Sequence, residues 1–209
     1  VGVSPQAATE RELVDINIKA SLNLLKLANN SGIKRFVTTG SSLEYGREAE
    51  KWDKIPPFAK LDPITPYALS KANSFKLIDE FARRNSIEVF YGRIFSAYGP
   101  RQFQKNFWPS LYSAAINGKD FSMTSGEQIR DFIFVEKVAY HLSHAAMRSD
   151  MVQGEPLIVN IASGIGMKLS DFAINEWGRL GAQGKLKIGD IPCRENEIKR
   201  QVADISKLN

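Results

Sequence analysis

The run Phe36-Val37-Thr38-Thr39, followed directly by Gly40-Ser41-Ser42, decides the fold of this chain. β-Branched and aromatic residues in a short apolar run predict a buried strand, and the Gly-Ser-Ser sequence predicts the turn that ends it. A helix that opens with a capping box at Thr9–Glu12 precedes this strand, and a second helix and strand follow it. This order of helix, strand, helix and strand is typical of a parallel sheet with helices on its faces.

The helices and the strand on either side of this run are predicted from the spacing of their apolar residues. The first helix ends near Gly32 and carries an apolar stripe made of Leu13, Ile16, Ala20, Leu24 and Leu27. Asn17 falls within that stripe. The second helix is predicted from Tyr67 to Arg84, and the next strand is predicted at Ile87–Tyr91. After residue 101 the predicted strands are shorter and their connections are mixed. We therefore expect an α/β fold, a doubly wound parallel sheet with a smaller mixed α/β lobe on its C-terminal side.

Composition excludes several classes of protein. The 209 residues are 43% hydrophobic and 24% charged, which is typical of an ordinary globular protein. The net charge is +5, but Lys and Arg are spread along the chain without a basic run, so no nucleic-acid partner is expected. No apolar run approaches the ~18–20 residues of a membrane span. We therefore expect no membrane partner, and the single cysteine, Cys193, favours the reducing cytoplasm. His141 and His144 lack further ligands nearby, so no metal site is expected.

The stretch Pro66-Tyr67-Ala68-Leu69-Ser70-Lys71 places a tyrosine and a lysine on one face of the second helix. A free tyrosine titrates near ~10, and a neighbouring ammonium group favours the phenolate and lowers that pKa. Such a pair can accept a proton from an alcohol while a hydride leaves its carbon. Ser41, at the end of the preceding strand, lies where ligands of parallel sheets bind and can hydrogen-bond the same substrate oxygen. The spacing alone also fits a helix with one aromatic residue and one solvated lysine.

Seven blocks of sequence, spread over nearly the whole chain, carry a resemblance to one family. They are Asn17 with Leu24-Leu25, Lys34–Val37 followed by Ser41–Gly46, Tyr67–Lys71, Arg93–Pro100, Arg130–Val135, Asn160–Gly164 and Pro192–Arg194. On these blocks the chain resembles the extended short-chain dehydrogenases/reductases, the NAD-dependent epimerase/dehydratase family acting on nucleotide-sugars. The resemblance implies that the sheet is of Rossmann type and binds a dinucleotide.

The resemblance also implies a role for each matching residue. The catalytic residues would be Ser41, Tyr67 and Lys71, with Tyr67 as general acid/base, Lys71 as the modulator of its pKa and Ser41 as partner of the substrate hydroxyl. The cofactor, NAD or NADP, would contact Asn17, Thr39, Tyr67, Lys71 and Ile94. The nucleotide-diphosphate sugar would contact Ser41, Ser42, Ser96, Asn106, Arg130 and Arg194, the two arginines gripping the diphosphate. A homodimer would form through the helices at Leu13–Leu27 and Tyr67–Arg84.

The glycine-rich phosphate loop of that family is absent, and its first βαβ units would precede Val1. The sequence is therefore expected to be part of a longer enzyme. On this interpretation residues 1–100 are the remainder of the dinucleotide-binding Rossmann domain, with the Ser/Tyr/Lys site. Residues 101–209 are mainly the substrate-binding lobe, with some elements returning to the Rossmann sheet.

Other departures from the family bear on the reaction. Ser42 and Leu43 stand where sugar-nucleotide 4,6-dehydratases carry an Asp-Glu pair, so dehydration is not expected. Glu44 replaces an apolar residue and either faces solvent or reaches into the site, and Ser96 replaces an asparagine. We expect hydride and proton transfer at the sugar C4, by a 4-keto reductase or a 4-epimerase, and the last two departures favour the reductase. Two alternatives stay open: a non-catalytic nucleotide-sugar or dinucleotide sensor of the same fold, and an inactive fragment acting through a partner surface.

Overall fold

A computed structural model describes residues 8–193 and 197–208 of the chain. Its helices are α1 (Glu10–Glu12), a π-helical segment (Leu13–Ala20), α2 (Ser21–Asn30), two 3-10 helices (Ser42–Tyr45, Arg47–Lys51), α3 (Pro66–Asn85), α4 (Phe107–Ile116), α5 (Val135–Ala145) and α6 (Leu169–Arg179). Its strands are β1 (Arg35–Ser41), β2 (Glu88–Ile94), β3 (Ser96–Tyr98), β4 (Phe121–Met123), β5 (Ile129–Phe134), β6 (Leu157–Ile161), β7 (Gly166–Lys168), β8 (Leu186–Ile188) and β9 (Arg200–Gln201).

The central sheet is parallel, with the strand order β1-β2-β6. The strands end together, because Ser41 is aligned with Ile94, and Ile94 with Ile161. The continuous helix formed by α1, the π-helical segment and α2 packs with α3 against one face. The other face packs against α5 around Phe90 and Val159. Helices on both faces of a parallel sheet confirm the predicted doubly wound α/β fold.

The remaining strands form two smaller sheets. The first has the order β3-β5-β7, with β9 also paired to β5, and it mixes parallel and antiparallel pairs. The second pairs β4 with β8 and packs with α4 and α6 around Leu111 and Trp177. β3 follows β2 after a single residue, so this mixed part lies directly beside the carboxyl edge of the central sheet. β6 returns to the central sheet, whereas the predicted division at residue 100 stays a prediction.

The capping box predicted at Thr9 and Glu12 is present, and part of the predicted apolar stripe lies at the surface. Leu24 is 51% and Leu27 is 63% exposed, whereas Leu25 is fully buried. The cause is the π-helical segment, because its wider turns use more residues per turn and rotate the buried face of α2. The short strands β4 and β8 were predicted, whereas β3, β7 and β9 were not.

Candidate active site

The side chains of Ser41, Tyr67 and Lys71 meet at the carboxyl edge of the central sheet and line one cavity of about 580 Å³. Ser41 reaches the cavity because it is the last residue of β1. Tyr67 and Lys71 lie one turn apart at the start of α3. That start is fixed by the side chain of Thr65, which accepts a hydrogen bond of 3.2 Å from the backbone N–H of Ala68.

The other predicted site residues fall in several places. The same cavity is also lined by Thr39, Ser42, Ile94, Ser96 and Arg130. A second cavity of about 630 Å³ shares Ser96 and Arg130 with the first and is also lined by Asn106. Asn17 is buried and lines neither cavity. Arg194 lies outside the described residues.

Lys71 is anchored to the end of β1. Its ammonium Nζ donates a hydrogen bond of 2.7 Å to the carbonyl oxygen of Thr39, and most of the side chain is buried. Since an ammonium group has three N–H donors, two remain for a ligand within the part of the chain that the structure describes. Burial lowers the pKa of Lys71, and the charge of Glu44 acts in the opposite direction.

The pKa of Tyr67 is raised, which is opposite to the direction predicted from the sequence. Burial is the largest cause, the negative charge of Glu44 adds to it, and a hydrogen bond with Ser41 acts against both. The charge of Lys71 is not among the causes of the shift. The sequence predicts that Lys71 lies beside Tyr67, but it does not predict that the carboxylate of Glu44 lies below them.

Glu44 neither faces solvent nor lines the cavity. Its side chain is fully buried beneath the site and forms an ion pair of 2.8 Å with Arg93, which is 1% exposed. Sequence reasoning left this orientation open and assigned Arg93 no role. The signal that could have found the pair was an arginine in a buried parallel strand, which needs an acidic partner.

Arg130 lies on β5 between the two cavities. It donates a hydrogen bond of 2.9 Å to the carbonyl oxygen of Ile129 and forms an ion pair of 3.3 Å with Glu197. Burial lowers its pKa, and the charge of Glu197 acts in the opposite direction. Asn106 also carries an Oδ1 atom that is buried and has no hydrogen-bond partner among the described residues. The second cavity therefore offers the guanidinium fork of Arg130 to a polar ligand.

Two residues that were predicted to contact a ligand form hydrogen bonds within the protein instead. The Nδ2 atom of Asn17 donates a hydrogen bond of 3.0 Å to the hydroxyl of Ser70, which precedes Lys71 on α3. The hydroxyl of Ser42 donates a hydrogen bond of 3.1 Å to Gln201 on β9. Asn17 thus braces the helix that carries the tyrosine and lysine, and its predicted contact with the cofactor stays a prediction.

Residues 2–162 match the model of the NAD dependent epimerase/dehydratase family. The chain belongs to this family. CDP-abequose synthase from Salmonella typhimurium is 28% identical to it over 203 residues, which cover 93% of the chain and 62% of that protein. A similar solved structure is UDP-N-acetylglucosamine 4-epimerase from Methanobrevibacter ruminantium in complex with UDP-N-acetylmuramic acid. It is 26% identical with a TM-score of 0.83, and the match covers 97% of this chain and 66% of the epimerase chain. MoeE5, solved with UDP-glucose and NAD, is 25% identical with a TM-score of 0.77. The match covers 92% of this chain and 62% of the MoeE5 chain.

The epimerase/dehydratase relatives are longer than this chain, which spans 37% and 62% of two curated proteins that it matches. The family is NAD-dependent, and this agrees with the predicted cofactor. The residues present fit such a group, because Lys71 keeps N–H donors for ribose hydroxyls at the edge where Thr39 and Ile94 line the cavity.

Two kinds of feature are absent from residues 8–193 and 197–208. No helix there is long and apolar enough to cross a membrane. Within the same residues, no three His, Cys, Asp or Glu side chains are grouped closely enough to hold a metal ion.

Proposed function

We propose that this chain transfers hydride and a proton at C4 of a nucleotide-diphosphate sugar, with NAD or NADP as redox partner and Tyr67 as general acid/base. One observation carries the proposal: Ser41, Tyr67 and Lys71 line the same cavity at the carboxyl edge of a parallel sheet, where ligands of such sheets bind. The adjoining cavity presents Arg130, whose guanidinium fork suits phosphate oxygens.

Reduction of a 4-keto sugar is the version that the surroundings of Tyr67 favour. Burial and the charge of Glu44 raise the pKa of Tyr67, so the phenol keeps its proton at neutral pH and is ready to donate it. A 4-epimerase must first form the phenolate in order to take the C4 hydroxyl proton, and these surroundings disfavour the phenolate. Epimerisation is the second candidate, because similar proteins include UDP-N-acetylglucosamine 4-epimerase and UDP-glucuronate 4-epimerase.

Dehydration lacks the necessary groups in the cavity. No Asp or Glu is among the described residues that line it, and the hydroxyl of Ser42 is engaged by Gln201. Elimination of water from a sugar needs a positioned acid and base, and Leu43, which also lines the cavity, supplies neither. We therefore propose no 4,6-dehydratase activity, although dTDP-glucose 4,6-dehydratases are among the similar proteins.

In the proposed reduction, Tyr67 gives its phenolic proton to the C4 carbonyl oxygen, which becomes the hydroxyl of the product. When bound, NAD(P)H supplies the hydride that the carbon receives. Ser41 holds the same oxygen in position through its hydroxyl group. Lys71, fixed on the Thr39 carbonyl, lies on the same helical face as the phenolate left on Tyr67, which then takes a proton from solvent.

On the cofactor side, we propose that Thr39, Tyr67, Lys71 and Ile94 face the dinucleotide, since all four line the cavity. Lys71 would bind ribose hydroxyls with the donors that Thr39 leaves free. Asn17 would act indirectly, through its hydrogen bond to Ser70.

The test incubates the enzyme with a panel of nucleotide-sugars and 4-keto nucleotide-sugars while NAD(P)H absorbance and product stereochemistry are followed. Net consumption of NAD(P)H selects the reductase, and inversion at C4 without net consumption selects the epimerase. The variant Tyr67→Phe should lose about 10²–10⁴-fold in turnover, because it removes the proton donor. Turnover within a few-fold of wild type in Tyr67→Phe would contradict the mechanism, and binding without turnover in the wild type would select the sensor.

We also propose that the chain dimerises through the helices at Leu13–Leu27 and Tyr67–Arg84. Large apolar side chains of these helices are exposed, namely Leu24, Leu27, Leu69 and Leu77. A pair of such faces would bury these side chains from water. Sedimentation equilibrium at several protein concentrations tests the proposal, and a monomer mass at all of them would exclude it.

A further inference from the structure

Glu44 is a buried carboxylate whose oxygens are all engaged directly below the proposed reacting groups. It lies in the 3-10 helix that follows Ser41, and it is 0% exposed. Its Oε1 accepts hydrogen bonds of 2.8 Å from the backbone N–H of Ser41 and from the hydroxyl of Tyr91. Its Oε2 accepts one of 2.8 Å from Nε of Arg93. Three donors from two elements therefore hold the carboxylate in one position.

The cationic partner is itself fixed in the core. Nη1 of Arg93 donates hydrogen bonds of 3.2 Å to the hydroxyl of Tyr45 and 2.8 Å to the carbonyl oxygen of Pro57. The guanidinium carbon also lies 4.6 Å from the ring centroid of Phe75 on α3. The ion pair thus connects Ser41, at the cavity, to a rigid part of the protein behind it.

The end of β1 is shaped around this carboxylate. A Cβ atom at Gly40 would lie 2.5 Å from Oε1 of Glu44 and would overlap the ring of Tyr91. Only glycine lets the carboxylate and the phenol approach the strand at that point. The absence of a side chain at Gly40 therefore leaves the space that the carboxylate of Glu44 occupies beside the strand.

The titratable and charged groups around Tyr67 come from three elements: Lys71 from α3, Glu44 from the 3-10 helix, and Tyr91 and Arg93 from β2. Of these, Glu44 raises the pKa of Tyr67, second only to burial, and it acts against the burial that lowers the pKa of Lys71. A like charge near a phenol disfavours the phenolate. The carboxylate therefore acts against loss of the phenolic proton.

We propose that Glu44 is a positioning residue, which fixes Ser41 beside Tyr67 through the backbone and keeps Tyr67 in its protonated, donating form. The inference rests on the proposed function, since it gives Glu44 a part in the proton transfer by Tyr67.

Two variants separate the charge from the hydrogen bond. Glu44→Gln removes the charge and keeps an oxygen for the Ser41 N–H, whereas Glu44→Val removes both. Glu48→Gln is the matched control, because Glu48 binds Lys51 and Trp52 and does not line the cavity. The readouts are kcat and KM against pH in the reductive direction, and the phenolate absorbance of the cofactor-free protein titrated with base. Tyr67→Phe gives the reference that isolates the signal of Tyr67.

In Glu44→Gln, the alkaline limb of kcat/KM and the Tyr67 phenolate transition should both move to lower pH. Glu44→Val should show the same shift and, in addition, lose about tenfold or more in kcat, because Ser41 is no longer held. Glu48→Gln should match the wild type in every readout. An unshifted limb and transition in Glu44→Gln, or a full kcat in Glu44→Val, would overturn the inference.

The two proposals fail in different ways. Retained turnover in Tyr67→Phe would remove the proposed function, whereas the phenolate titration still reports whether Glu44 holds the proton on Tyr67. Should Glu44→Gln not fold, Glu44→Gln combined with Arg93→Met leaves no unpaired charge and is titrated against Arg93→Met alone. An equal Tyr67 transition in those two proteins would overturn the inference as well.

Discussion

Replacing Arg93 by methionine should destabilise the protein severely, because it leaves the buried carboxylate of Glu44 without a cation. The substitution keeps most of the bulk of the side chain and removes its charge and donors. Both partners are almost completely buried, at 1% and 0% exposure, so water cannot replace the lost partner. The carboxylate would keep its hydrogen bonds from Ser41 and Tyr91.

The magnitude follows from what the substitution leaves behind. Removing one partner of a buried ion pair costs about 3–5 kcal/mol. The carbonyl oxygen of Pro57 loses a donor, and the cation–π contact at 4.6 Å from Phe75 is lost as well. These losses involve one network and do not add, so we expect about 4 kcal/mol in total. That is a large part of the ~5–15 kcal/mol by which a typical domain is stable.

The sharper expectation is a reversal of sign for Glu44→Gln. In the wild type this substitution leaves Arg93 buried and unpaired, and it should destabilise. In the Arg93→Met protein it removes an uncompensated charge and keeps an oxygen for the Ser41 N–H, so it should restore about 2 kcal/mol.

Urea unfolding of the four proteins, followed by circular dichroism, measures both expectations. With a slope of about 2–3 kcal/mol/M, Arg93→Met should lower the urea midpoint by about 1.3–2 M. The cofactor concentration is kept the same, since ligands that bind only the folded state raise the midpoint. If Glu44→Gln lowers the midpoint of Arg93→Met as much as that of the wild type, the two charges are not coupled and the reasoning is wrong.

Two further substitutions test the surroundings of the site. Gly40→Ala should cost about 1–3 kcal/mol and lower kcat/KM, because its Cβ overlaps the Tyr91 ring at the strand end. The control Gly178→Ala has no atom within 4 Å of the new Cβ and should be neutral or stabilising in the same urea assay. Glu197→Gln should tighten binding of a nucleoside diphosphate up to about fivefold by calorimetry, since it frees Arg130 from an ion pair. Unchanged or weaker binding would show that Glu197 does not compete with the ligand.

The elements of the central sheet could be predicted from the sequence because their determinants are local. The capping box at Thr9, the apolar run that became β1 and the Pro66-led start of α3 each specify an element within a few residues. The rotation of α2 could not be predicted, because it depends on the π-helical geometry of the preceding segment. The buried position of Leu25 followed from that geometry and not from the 3.6-residue period.

The meeting of Ser41 with Tyr67 and Lys71 could also be predicted, since a strand end and the first turn of the next helix lie together in a parallel sheet. The orientation of Glu44 could not, because a glutamate in a turn can point either way. It is decided by Arg93, 49 residues later in the chain. The pKa of Tyr67 is raised first by burial and then by the charge of Glu44. Both causes depend on the tertiary structure, and so the direction predicted from the sequence was wrong.

Stability alone does not account for the pair of Glu44 and Arg93. Apolar residues of similar volume in place of a buried ion pair are often neutral or stabilising by about 1–4 kcal/mol, and Gly40, which gives the carboxylate its room, adds flexibility to the unfolded chain. Two effects of the pair reach the cavity: a fixed Ser41 backbone and a negative charge below Tyr67. Both effects assist Tyr67 if it donates a proton, as in reduction. The negative charge hinders Tyr67 if it must first accept a proton, as in epimerisation. The pair is therefore better explained by the proposed carbonyl reduction than by the folding of the chain.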